Sequence, residues 1–164
     1  MSTHQDRVRD ALDLCKKHLD ATRTRNTEIE AYLTAFLLVY TYANLEAAAK
    51  ECIQVRSGHI TDPRAQAFVA ASWEELWRGL KVTELGKFIG RYDEDCRDRF
   101  IKGVTSDDRH VAYSNLLENR HLAAHAATAT MTFLEFEHSY EKCFAVIDEF
   151  GGWLDDQIEV MAGA

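Results

Sequence analysis

The chain carries a single proline and only eight glycines in 164 residues. All-β sandwiches and barrels need many tight turns, so this scarcity points to long helices with few connections. The proline, Pro63, closes the one clear break, "SGHITDP" at 57–63, where Asp62 before it makes a good helix start. The length suits one domain, 1–164, able to bury most of its apolar surface in one core.

Helical periodicity then places the elements. Val8, Leu12, Cys15 and Leu19 form an apolar stripe, which predicts a first helix over 5–22. From Asn26 to Gln54 a second helix is expected, with Ile29, Leu33, Phe36, Leu37, Tyr40, Ala43, Leu45 and Ala48 covering a broad face. Its uncharged run, "AYLTAFLLVYTYANL", is shorter than the roughly 20 residues a bilayer crossing needs, and reads as a central helix of a bundle. After the break come two or three short helices joined near Gly79 and Gly90. A further helix, capped by Thr105 or Ser106, carries "LLENRHLAAHAA". Thr132 followed by Glu135 is a capping-box pattern for a last helix running to Met161, with Gly151 and Gly152 as points of bending. The fold class is all-α: a bundle of four long helices plus short ones.

Charge and cysteine usage narrow the function classes. The net charge of −8 discourages a generic nucleic-acid binder. It is unevenly spread, however. Residues 132–164 hold eight acids against one lysine, whereas residues 1–26 hold six cations against four aspartates, so a local basic groove is not excluded. Cys15, Cys52, Cys96 and Cys143 lie far apart with no C-x-x-C pair, which reads as reduced thiols in a cytosolic protein. The N-terminal stretch lacks the apolar run of a signal peptide. Trp73, Trp77 and Trp153 stand beside leucines and alanines and read as core or rim rather than base-stacking platforms. The alternating charges of "RYDEDCRDRFIK" read as a solvated face.

The informative turn is Arg120 followed by His121 and His125 in a segment of leucine and alanine. As a metal site it is weak. His121 and His125 share a helix face, but the H-E-x-x-H pattern would require glutamate where Leu122 stands. A di-iron reading from Glu118/His121 and Glu135/His138 matches only in spacing, so no metal and no cofactor is expected. As a phosphate site it is stronger. A guanidinium clamps a phosphate, and histidine, which titrates near neutrality, serves as general base or acid.

"ENRHLAAH" resembles the R-x(4–6)-H signature of the HEPN superfamily, and "LVYTYANLEAAAKE" is similar to the second helix of its stand-alone RiboL-PSP type, where an aromatic and a glutamate, here Tyr42 and Glu46, recur. The resemblance implies an all-α HEPN bundle and a metal-independent endoribonuclease of toxin or antiviral-defence type, cleaving single-stranded RNA. Arg120 and His125 would be catalytic, with His121, Asn119 and Glu46 in support. It further implies a homodimer with one composite site across the two-fold axis, compatible with the small residues of "AAHAATA". An antitoxin or other neutralising partner would fit the same family. Two positions depart from the pattern. HEPN toxins silenced by AMPylation carry a tyrosine where Ala127 stands, and Ala126 replaces the glycine or serine that often follows the histidine. The competing reading is a non-catalytic helical module with the same fold, binding a nucleotide or a protein.

Overall fold

The computed structural model describes residues 3–124 and 130–162, with side chains up to Asp155 in the last helix. Among them are seven helices: α1 Thr3–Thr22, α2 Glu28–Gly58, α3 Pro63–Leu76, α4 Val82–Ile89, α5 Glu94–Thr105, α6 Asp108–Ala124 and α7 Phe133–Ala162. The described chain is all-α, with α1, α2, α6 and α7 as its long helices.

α1 buries Val8, Leu12, Cys15 and Leu19 against the bundle, the stripe expected from its periodicity. A turn with Arg23 and Asn26 at positive φ leads into α2, whose N-cap Thr27 accepts a hydrogen bond from the Ile29 backbone. α2 begins and ends a few residues later than expected, and its buried face also differs. Leu37, Leu45 and Ala48 are buried as anticipated, together with Thr34, Leu38, Thr41, Asn44, Ala49 and Ile53. Ile29, Phe36 and Ala43 point outward instead. The physical reason is that α2 is apolar on almost every side, so a hydrophobic pattern cannot choose which side is covered. Packing decides: α2 touches α1, α3, α6 and α7, and the remaining side stays bare.

Asp62 caps α3, accepting from the backbones of Arg64 and Ala65, with Pro63 in the first turn. The cap of α6 is not the expected one. The Ser106 hydroxyl donates back to the Gly103 carbonyl and that of Thr105 to Ile101, so both close α5; Asp107 accepts from the Arg109 backbone and opens α6. The capping box of α7 forms as anticipated. The Thr132 hydroxyl accepts from the Glu135 backbone at 3.2 Å, and the Glu135 carboxylate accepts from the Thr132 backbone at 2.7 Å.

α6 and α7 run antiparallel. Arg109 pairs with Glu149 at 2.9 Å near one end, and Asn119 meets Thr130 and Met131 at the other. Between the helices lies a single buried cluster in which Tyr113, Phe100, Phe136, Phe144 and Phe150 are fully enclosed. Each such side chain contributes about 1.5–3 kcal/mol of burial. Phe150 meets Phe88 and Phe100 edge-on at 6.2 and 6.3 Å. α7 stays helical through Gly151 and Gly152. At Gly151 the missing side chain has a packing reason, since a Cβ there would lie 2.9 Å from Cys52 Sγ. Gly151 therefore lets α7 approach α2 closely, whereas a Cβ at Gly152 would meet nothing within 4 Å.

All four cysteines are free thiols. Burial raises the pKa of Cys143 to about 12; that of Cys52 rises to about 11 through burial and then the nearby Asp155 and Asp148. Neither is a ready nucleophile. Trp73 is buried and Trp77 half-buried, in keeping with their reading as core and rim. Trp153, also half-buried, packs under the Arg99 guanidinium at 5.1 Å. Among the described residues no helix is long and apolar enough to cross a membrane.

Candidate active site

Arg120 and His121 sit in the last two turns of α6, and the geometry around them is built from three directions. α2 supplies Tyr42, whose ring lies under the Arg120 guanidinium with its central carbon 3.9 Å from the ring centroid. At that separation a cation is held by the negative face of the aromatic ring. Arg120 Nε is shut off from solvent and has no hydrogen-bond partner among the described residues, so the ring face stands where a polar acceptor would otherwise be needed. Among the described residues, no carboxylate pairs with the arginine.

The second direction is the link between α3 and α4. Arg78, Gly79, Leu80 and Lys81 form one wall of a cleft of about 640 Å³ shared with Tyr42, Glu118, Arg120 and His121. Leu80 is buried, and its carbonyl accepts a 2.7 Å hydrogen bond from the Tyr113 hydroxyl of α6. Burial pushes the Tyr113 phenol well above its ordinary pKa, so it remains a donor throughout the working range.

The third is the α6–α7 connection. Asn119, buried between Glu118 and Arg120, accepts through Oδ1 from the backbones of Thr130 at 2.7 Å and Met131 at 2.8 Å, and from the Thr130 hydroxyl at 3.1 Å. Its Nδ2 donates to the Asn115 carbonyl at 2.9 Å. Its oxygen takes three hydrogen bonds from residues 130 and 131, so the side chain ties the start of α7 to the end of α6.

The sequence-derived residues therefore separate. Arg120 and His121 line the cleft. Asn119 holds the segment behind it. Glu46, one turn beyond Tyr42 on α2, is not among the lining residues; its carboxylate pairs with Lys50 at 2.9 Å. Glu118, considered above only as a metal ligand, does line the cleft. Glu135 is occupied by its capping box, and no group of three His, Cys, Asp or Glu side chains stands together to hold a metal among the described residues. His125, Ala126 and Ala127, with most of "AAHAATA", lie outside the described residues. The α3–α4 wall was not anticipated. Two cations flanking a glycine at a helix junction, "RGLK", are its only trace in the sequence.

An all-α bundle with an arginine–histidine turn closing its penultimate long helix is the arrangement of the HEPN superfamily. Within it, the RiboL-PSP-HEPN family matches residues 2–156, and the chain belongs to that family. No curated protein and no solved structure shows significant similarity to it.

Proposed function

We propose that this HEPN domain is a metal-independent endoribonuclease of toxin or defence type acting on single-stranded RNA. The observation that carries the reading is Arg120: a cation lining a cleft, its guanidinium carbon 3.9 Å from the Tyr42 ring centroid and paired with no carboxylate among the described residues. That is a side chain kept ready for an anion, and the planar fork suits a phosphate.

The chemistry calls on Arg120 and His125. A histidine removes the proton from a ribose 2′-hydroxyl, and the oxygen attacks the adjacent phosphorus. The P–O5′ bond breaks, the departing oxygen takes a proton from an acid, and a 2′,3′-cyclic phosphate and a 5′-hydroxyl remain. Arg120 neutralises the non-bridging oxygens as charge builds on them. His121 supports from the adjoining position. Asn119 acts at a distance, by fixing residues 130 and 131 just beyond the segment that carries His125.

The exposed side of α2 supports a homodimer with a composite site. Ile29, Tyr32, Phe36 and Val39 are 42, 72, 50 and 42% exposed, at alternating spacings of three and four residues. This is the seam spacing of paired helices. Val39 is one turn before Tyr42, so a second copy on this stripe would lie beside the cleft. Tyr32→Asp with Phe36→Asp is expected to give a monomer in sedimentation with helicity retained; an unchanged dimer would place the interface elsewhere. An antitoxin or other neutralising partner would have to cover this stripe or the cleft.

The substrate class is tested with two oligonucleotides of one base sequence. RNA should be cut to products ending in cyclic phosphate, and DNA, lacking the 2′-hydroxyl, should stay intact. Scission of both would rule out attack by the 2′-oxygen. The competing reading, a binding module, draws on the acidic surface of α7, which repels phosphate backbones. Under it neither oligonucleotide is cut.

A further inference from the structure

We propose that the α3–α4 link is a phosphate-reading strap, in which Arg78 and Lys81 hold phosphates neighbouring the one addressed by Arg120, so that the cleft takes a run of single-stranded RNA rather than a mononucleotide. This assignment deepens the ribonuclease reading and rests on it for the identity of the nucleic acid.

Three observations converge on it. First, the cleft is lined by Arg78, Lys81 and Arg120, and none of the three forms an ion pair among the described residues. In a chain of net charge −8, with carboxylates outnumbering Lys and Arg by 27 to 19, three unpaired cations around one depression are a local reversal of sign. Glu118 is the only carboxylate among the lining residues, which leaves the wall net positive.

Second, the strap is shaped rather than loose. Gly79 has φ +114°, a conformation that side chains rarely adopt, although a Cβ there would meet nothing within 4 Å. The glycine is required by the backbone path and not by crowding. That path leaves Arg78 and Lys81 exposed on the cleft while the intervening Leu80 is buried and its carbonyl is anchored by Tyr113. A segment held at its middle presents its two cations without a large ordering cost on binding.

Third, the volume is too large for one phosphate. About 640 Å³ falls within the range of sites that enclose multi-ring ligands. Arg120 alone would leave most of that space unread.

The test separates binding from cleavage. The probe is a labelled 2′-O-methyl RNA of about ten nucleotides, within the usual site size for single strands and unable to undergo 2′-oxygen attack. Anisotropy across a salt series is read for wild type, for Arg78→Ala with Lys81→Ala, and for a control pair on other surfaces, Arg64→Ala with Lys102→Ala. All four side chains are exposed, and melting curves check that each variant folds. Losing two phosphate contacts should flatten the slope of log K against log salt by about 1.4 and weaken binding about tenfold, with the control unchanged. On cleavable RNA the same double variant should raise KM and leave kcat within about twofold.

An unchanged slope, a slope altered equally by the control pair, or no binding of the probe to wild type would overturn the strap. If wild type cuts RNA and the slope does not move, the strap fails and the ribonuclease stands. If the slope flattens but no RNA is cut, the strap stands and the catalytic reading fails.

Discussion

Arg120→Ala is expected to lower RNA cleavage by about 10²–10³-fold, the usual loss when one preorganised donor to transition-state charge is removed. The fold should barely notice. Within the described residues Arg120 contacts Tyr42 as a cation on a ring and makes no ion pair. Such contacts are worth about 0.5–2 kcal/mol. For a chain of this size that is a shift in melting temperature of a few degrees, by the ~2–4 °C per kcal/mol typical of 150–250 residues. Arg120→Lys should recover little, because an ammonium neither lies flat on Tyr42 nor grips two phosphate oxygens. Tyr42→Phe should retain most activity, since the ring face is kept, whereas Tyr42→Ala should lose a substantial part of kcat. Melting and single-turnover cleavage on these four proteins check the set. A large loss of stability in Arg120→Ala with proportionate loss of activity would make the arginine a structural residue.

Asn119→Ala should show the opposite balance, with stability falling first. The substitution strips the acceptor from two backbone N–H groups and one hydroxyl, and leaves the Asn115 carbonyl without its side-chain donor. Loss of a buried polar partner typically costs about 1–3 kcal/mol. Activity should fall further than melting alone explains, because residues 130 and 131 are no longer held to α6 just past His125. Asn119→Asp keeps the acceptor oxygen but sets a second carboxylate oxygen against the Asn115 carbonyl in a buried site, so it should rescue only part of either. If Asn119→Ala melts like wild type and only kcat changes, Asn119 touches substrate rather than the chain.

Much of this was legible in the residue order, and the rest was not for identifiable reasons. The α1 stripe, the Asp62–Pro63 start of α3 and the Thr132–Glu135 capping box are local features, decided by residues a few positions apart. The covered face of α2 was not legible, since apolar residues surround that helix and only its neighbours choose. The start of α6 was misplaced by one or two residues because Thr105, Ser106 and Asp107 are all capable caps. The Thr105 and Ser106 hydroxyls turn back to close α5, which leaves Asp107 to open α6. At the site, Arg120 and His121 stood out as polar groups in an apolar turn. The stack of Arg120 on Tyr42 joins residues 78 positions apart, and the Arg78–Lys81 wall depends on how a short link folds back over α6. No periodicity reports contacts of that range. Glu46 shows the converse: the family resemblance drew attention to it, while in the fold its partner is the neighbouring Lys50.

The most direct measurement is cleavage of an end-labelled single-stranded RNA in EDTA by wild type beside His125→Ala. Scission by wild type alone, with products ending in 2′,3′-cyclic phosphate, is the expected result. Intact RNA after incubation with folded, dimeric wild type, or equal scission by both proteins, would contradict a ribonuclease centred on the Arg120–His125 turn.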